Sequence, residues 1–281
     1  MAAVLTASTS VSVVVASSLN RLRQRTSKKA LHVGAFFVSA FWLLLSPAAW
    51  AQCPLLPGGF DAEVVHVYDG DTVRLKSGQR VRLIGIDTPE IGRDGRPDQP
   101  GAREAGRWLE RRVKGQQVYL LPGVERQDRY GRLLAHLYWR DELIAEKMLQ
   151  QGLGFALAVG ANTRLADCLF SAETPARIAS EGVWRRAPRA AMEIDKPGFA
   201  LVRGRISRIT QARAGYYIDL DDHLALFLPE KLGADHARMQ VGDRIEARGW
   251  VQDRLQRQNR LSHGQQRWLL RITADRHLQA N

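Results

Sequence analysis

VYDGDTVRLKSGQRVRLIGIDTPE (67–90) decides the reading of this chain. DTVRLK (71–76) and QRVRLIGI (79–86) alternate apolar and polar residues on either side of a turn at Ser77-Gly78, the period of paired β-strands. Asp69 and Asp71 flank Gly70 at a tight junction between strands, and Asp87 and Glu90 flank Thr88-Pro89 where the third strand ends. If these strands pair, acids sixteen residues apart (Asp71 and Asp87) converge at one end of a sheet. Hard cations take several oxygen ligands, and Asp71, Asp87 and the backbone carbonyl of Thr88 would supply them. Arg82, five residues before Asp87 on the same predicted strand, puts a cation beside an acidic metal site. That pairing suits an anionic substrate such as a phosphodiester, with Glu90 placed to activate water. Either turn alone is ordinary turn chemistry; the two together, with the arginine between them, carry the reading.

Outward from this stretch the chain reads as a small mixed domain. EVVHVYD (63–69) is a strand, and IGRDGRPDQPG (91–101) is a breaker-rich loop. AREAGRWLERRVKG (102–115) sets Ala105, Trp108, Leu109 and Val113 at helical spacing and stops at Gly. QVYLLP (117–122) and LLAHLYWR (133–140) are strands joined by the polar VERQDRYGR (124–132). ELIAEKMLQQG (142–152) is an amphipathic helix, and a third helical region runs from about 163 to 184, broken at Pro175.

Three motifs in order, DGDT (69–72), RLIGIDTPE (82–90) and DRYGR (128–132), resemble the staphylococcal nuclease (thermonuclease) family over roughly residues 60–187. The resemblance implies an α+β fold, a five-stranded OB-type β-barrel with three helices, and a Ca²⁺-dependent phosphodiesterase acting on DNA and RNA. By position, Asp71 and Asp87 resemble the calcium carboxylates, Thr88 the carbonyl ligand and Asp69 the neighbouring acid. Glu90 resembles the general base, Arg82 and Arg132 the two phosphate-clamping arginines, and Arg129 and Tyr130 the residues against the terminal phosphate and sugar. One departure stands out: GFALAVG (154–160) carries Ala158 and Gly160 where the best-known members have two stacking tyrosines. An alternative is a weak or inactive nuclease-like module that only grips nucleic acid. Inactive relatives are expected to lose some of Arg82, Glu90 and Arg132, and all three are present.

The 281 residues, 45% hydrophobic and 25% charged, exclude wholesale disorder, and two cysteines exclude a disulfide-rich scaffold or a four-cysteine zinc site. No G-x-S-x-G, P-loop or dinucleotide fingerprint is present. Residues 1–51 hold five basic and no acidic residues, then an apolar run AFFVSAFWLLL (35–45) and Ala49-Trp50-Ala51, a signal-peptide pattern cleaved before Gln52. The expectation is a periplasmic or secreted protein with no stable membrane anchor, as a monomer. Export makes a Cys53–Cys168 disulfide plausible; two separate thiols are the other reading. The catalytic domain is expected over 58–187, a basic linker over 188–198, and a second small mainly-β, OB-like domain over 199–281.

Of the net charge of +12, five units lie in residues 1–51; residues 58–187 carry 20 basic and 18 acidic groups, and residues 188–281 carry 16 and 11. The basic excess therefore sits in the tail, where Trp250 and Trp268 are interleaved with arginines. Two readings fit: an aromatic and basic surface for nucleic acid, or core tryptophans behind a solvated face.

Overall fold

In the computed structural model, which describes residues 52–232 and 239–280, the chain forms two β-barrels of the same strand order. The stretch expected as a signal peptide, 1–51, lies outside the described residues. The first part comprises β1 (Phe60–Val67), β2 (Thr72–Leu75), β3 (Arg80–Leu83), β4 (Ile86–Asp87), α1 (Ala102–Val113), β5 (Gln117–Gln127), β6 (Leu133–Trp139) and β7 (Glu142–Leu143). It continues with α2 (Ile144–Gln150), β8 (Phe155–Ala156), α3 (Ala166–Ala172) and α4 (Thr174–Ile178). The sheet runs β3-β2-β1-β5-β6 and closes because β3 also pairs with β6 in parallel, Val81 opposite Leu133 and Leu83 opposite Ala135. Alternation turns Val64, Val73, Leu75, Val81, Leu83, Val118, Leu120 and Leu137 into the barrel, all buried. The apolar stripe of α1 covers part of this core with Ala105, Trp108, Leu109 and Val113.

Two sequence expectations change here. The strand predicted over 79–86 ends at Leu83; a turn with Gly85 at φ +86° redirects the chain, and Ile86–Asp87 pair instead with Phe155–Ala156. Arg82 and Asp87 therefore stand on two strands facing across a turn, not on one. The third helical region is two short helices separated at Glu173, with a 3-10 turn at Gly182–Arg186. Pro175 lies in the first turn of α4, where its missing N–H costs no helical bond. Cys53 and Cys168 form a disulfide that ties the segment before β1 to α3.

The second barrel comprises β9 (Arg189–Ala190), β10 (Gly198–Ala212), β11 (Gly215–Leu220), β12 (Leu224–Pro229), β13 (Arg244–Asp253), β14 (Trp268–Arg271) and β15 (Leu278–Ala280). Strands β10-β11-β12-β14-β13 close through β13–β10, and β12–β14 is the parallel pair that β3–β6 is in the first barrel. The stretch expected as a linker is packed: Arg189–Ala190 pair with Val202–Arg203, and Ala191 and Ile194 are buried. Polar and aromatic contacts join the barrels. Arg177 forks onto Glu246 at 2.9 and 2.8 Å, the Ala158 N–H donates to His277 Nε2 at 3.0 Å, and Phe155 packs between Trp184 and Phe199.

Candidate active site

The DGD turn carries β1 into β2. The Asp71 N–H donates to Asp69 Oδ1 at 3.1 Å, an Asx turn that Asp forms readily. A Cβ at Gly70 would stand 2.7 Å from both Ala105 Cβ of α1 and Thr88 Oγ1, so only glycine lets helix and turn close on each other. β4 brings the second acidic pair alongside. Asp71 Oδ2 accepts from the Thr88 N–H (3.0 Å) and Oγ1 (2.9 Å). Arg82 fills the space between the carboxylates: its Nη2 lies 2.9 Å from Asp87 Oδ1 and 3.1 Å from Asp71 Oδ2. Its Nη1 donates to Leu83 O and Ile86 O, both at 2.8 Å. The carbonyls around the Gly85 turn thus fix the plane of the guanidinium.

Arg132 reaches the site from the DRYGR turn. Asp128 shapes that turn by accepting from the N–H groups of Tyr130 (2.9 Å) and Arg132 (3.0 Å), and its other oxygen takes Arg132 Nε at 2.7 Å. Burial works against the Asp128 charge, but these hydrogen bonds hold its carboxyl below the usual carboxylate range. Arg132 Nη1 then lies 3.4 Å from Thr72 Oγ1, which donates to Asp71 Oδ1 at 3.0 Å, so a polar chain links the arginine to the acidic turn. A cavity of about 430 Å³ opens in front, lined among others by Tyr68, Asp69, Arg80, Glu90 and Arg132. Glu90 is anchored through its backbone, its N–H donating to Gln99 Oε1 at 2.9 Å. Arg129 and Tyr130 stand on the turn's exposed tip, the guanidinium 4.8 Å from the ring centre.

Four carboxylates and a buried guanidinium in this space disturb one another. Burial and the charge of Asp71 push Asp69 up to about 7. Burial also pushes Asp87 up to about 7, with Asp71 and Glu90 adding to it and Arg82 opposing. Glu90 is raised by burial and by Asp71. Burial disfavours the Arg82 cation, but Asp71 and Asp87 more than restore it and raise its pKa. Crowded acids with raised pKa values are a donor set short of positive charge. All-oxygen donors fit a hard divalent cation. Among the described residues, no three His, Cys, Asp or Glu side chains converge to hold a metal. The expected set needs only two side chains, Asp71 and Asp87, with the Thr88 carbonyl.

The structure brings Asp69, Asp71, Arg82, Asp87, Thr88, Glu90 and Arg132 to one end of the first barrel and leaves Arg129 and Tyr130 at its rim. Sequence reasoning missed Thr72, Asp128 and Arg80. Arg80 shared its strand alternation with Arg82 and could have been found by it. The missing tyrosines have a physical account. Ala158 is buried beneath His277, and a Cβ at Gly160, which has φ +59°, would stand 2.6 Å from the Glu125 carboxylate. Phe155 packs against Trp184 and Phe199, a core role.

Residues 80–186 match the family described as "Staphylococcal nuclease homologue". The thermonuclease of Staphylococcus hyicus is 34% identical over 125 residues, covering 43% of this chain and 74% of that protein. The thermonuclease of Staphylococcus intermedius is 35% identical over 126 residues, covering 44% and 75%. The probable endonuclease lcl3 of Aspergillus flavus is 34% identical over 120 residues, covering 37% and 43%.

Proposed function

The chain belongs to the staphylococcal nuclease family and is a nuclease; from that premise we propose an exported, calcium-dependent enzyme that hydrolyses phosphodiester bonds of DNA and RNA. The observation that carries this reading is the pairing of two arginines with Glu90, at the open rim of one acidic cavity. Arg82 and Arg132 offer planar, forked donors that match non-bridging phosphate oxygens and hold the negative charge that grows on them as the bond breaks. Glu90, its pKa raised by burial, takes the proton from the attacking water. Asp128 keeps Arg132 aimed, and the carbonyls of Leu83 and Ile86 keep Arg82 aimed, while Arg82 Nη2 passes from Asp71 and Asp87 to the phosphate once a cation takes those carboxylates. Asp71, Asp87 and the Thr88 carbonyl would hold calcium, which would supply positive charge at the phosphoryl oxygen.

The Cys53–Cys168 disulfide supports export, because such bonds persist in oxidising compartments. The test is digestion of plasmid and of single-stranded RNA by the protein in calcium and in chelator. Cleavage of both that needs calcium is expected. Undiminished cleavage in chelator, or none with calcium, would overturn the mechanism.

A further inference from the structure

The register of the second barrel assigns one of its outer surfaces. Ile218, Leu226 and Leu270 point into its core, so their neighbours Tyr217, Phe227 and Arg271 point out. Tyr217 pairs with Phe227 and Phe227 with Arg271, which sets the three side chains in a row across β11, β12 and β14. The two rings lie 5.1 Å apart at 53°, both partly exposed. The Arg254 guanidinium stands 5.2 Å from the Tyr217 ring centre and that of Arg271 4.9 Å from Phe227. Beside Tyr217 a groove of about 270 Å³ runs between Arg208 and Thr210 of β10 and the loop at His263–Gln266. The acid in this groove, Asp219, is already neutralised by Arg208, with Gln266 at 3.4 Å. Arg254 makes its polar contact with a carbonyl, that of Gln266 at 3.1 Å, and burial together with Arg271 lowers its pKa. The face thus combines flat apolar rings with cations that lack a carboxylate partner among the described residues.

We propose that this face binds single-stranded nucleic acid, with unpaired bases stacking at Tyr217 and Phe227 and phosphates meeting Arg254 and Arg271. Stacking platforms set among arginines hold a strand irrespective of sequence, because every base has a π-face. A duplex buries those faces within its own stack and can offer only its phosphates. Of the tryptophans the sequence suggested, Trp268 is core, whereas Trp250 is exposed and meets Phe199 edge-on.

The test is fluorescence anisotropy of the protein with labelled dT20, rU20 and a 20-base-pair duplex, in chelator so that nothing is cut. Tyr217→Ala and Phe227→Ala are each expected to weaken binding of both single strands roughly five- to hundredfold and to leave duplex binding nearly unchanged. Tyr217→Phe keeps the affinity. Arg271→Gln, an exposed change, weakens binding and flattens its dependence on log salt by about 0.7. These losses add to that of Arg132→Gln, which marks strand held at the catalytic cavity. Loss on dT20 alone or rU20 alone still supports the site and identifies the strand it takes. Unchanged dT20 and rU20 affinity in a Tyr217→Ala/Phe227→Ala protein that keeps its wild-type melting temperature overturns the proposal. If that double variant fails to fold, Arg271→Gln with unaltered affinity and salt slope overturns it instead.

Discussion

Arg248 of β13 and Glu173, at the junction of α3 and α4, form a buried ion pair between the two barrels. Nη2 lies 2.8 Å from Oε1 and Nη1 3.0 Å from Oε2, with both side chains almost fully enclosed. The pair also closes on one peptide strand: the Ala156 N–H donates to Glu173 Oε2 at 2.8 Å, and Arg248 Nη1 donates to Ala156 O at 3.0 Å. Ala156 in turn pairs with Ile86, the residue before Asp87. The second barrel is therefore part of the frame of the acidic site.

Removing one member of a buried pair strands the other charge, so Arg248→Met or Glu173→Gln should cost about 3–5 kcal/mol of stability. The double variant Arg248→Met/Glu173→Gln should recover much of that loss, because no uncompensated charge remains. Urea unfolding of the four proteins measures the cycle. Additive losses in the double variant would contradict the pairing.

The disulfide closes a loop spanning 115 residues, which removes much of the freedom of the unfolded chain. Cys53→Ser/Cys168→Ser should lose about 2–5 kcal/mol, and reductant should shift the unfolding midpoint of the native protein but leave the variant's unchanged. Equal midpoints with and without reductant would show that the cross-link contributes nothing.

Two buried histidines give stability a pH dependence. Burial depresses His277, with the Arg248 charge adding to it, and likewise His136, with Arg164; each falls to about 4. Between pH 6.5 and 4 the unfolded chain binds protons that the folded one refuses, so stability is full above pH 6.5 and is lost as pH falls. Each histidine accounts for about 3 kcal/mol by pH 4. The raised carboxylates Asp69 and Asp87 pull the opposite way in metal-free protein, so the informative quantity is a difference between variants. His277→Gln keeps an acceptor for the Ala158 N–H and removes the titration. Its stability relative to wild type should rise steadily from pH 7 to pH 4.5 in urea titrations, and a constant difference would refute the assignment.

The acidic site was legible in sequence because its residues lie at turns flanking short alternating strands, where spacing fixes proximity. Asp71, just before β2, and Asp87, on β4, come together through Arg82, which reaches both, although β4 pairs with β8 and not with the strand beside β2. What sequence left hidden depends on tertiary closure. The break at Gly85 uses glycine's freedom at φ +86°, but where the chain goes next is set by β4 finding β8, almost seventy residues later. Asp128 looked like an ordinary turn residue, and its second role, holding Arg132, exists only once the turn faces Thr72. In the second barrel the arginine-rich strands drew attention to their own tryptophans. The β11–β12 hairpin places Tyr217 beside Phe227 on the outer face, and Arg271 joins them through β12–β14, strands distant in sequence whose register is not written in either alone.

Arg82→Lys should be the most damaging conservative change in the catalytic site. The guanidinium serves four acceptors at once: Leu83 O, Ile86 O, Asp87 Oδ1 and Asp71 Oδ2. An ammonium has three donors around one point and no fork, so it must abandon at least one buried acceptor and cannot grip phosphate in two places. Loss of one well-placed donor to developing charge typically costs about 10²–10³ in kcat, and Arg82→Lys should fall at least that far with KM little altered. Arg132 is more exposed and tied chiefly to Asp128, so Arg132→Lys should lose activity with less loss of stability. Steady-state kinetics on a defined oligonucleotide, run beside urea unfolding, separates the two effects. An Arg82→Lys protein within a few-fold of wild-type kcat would remove Arg82 from the reacting phosphate and leave it as a structural clamp.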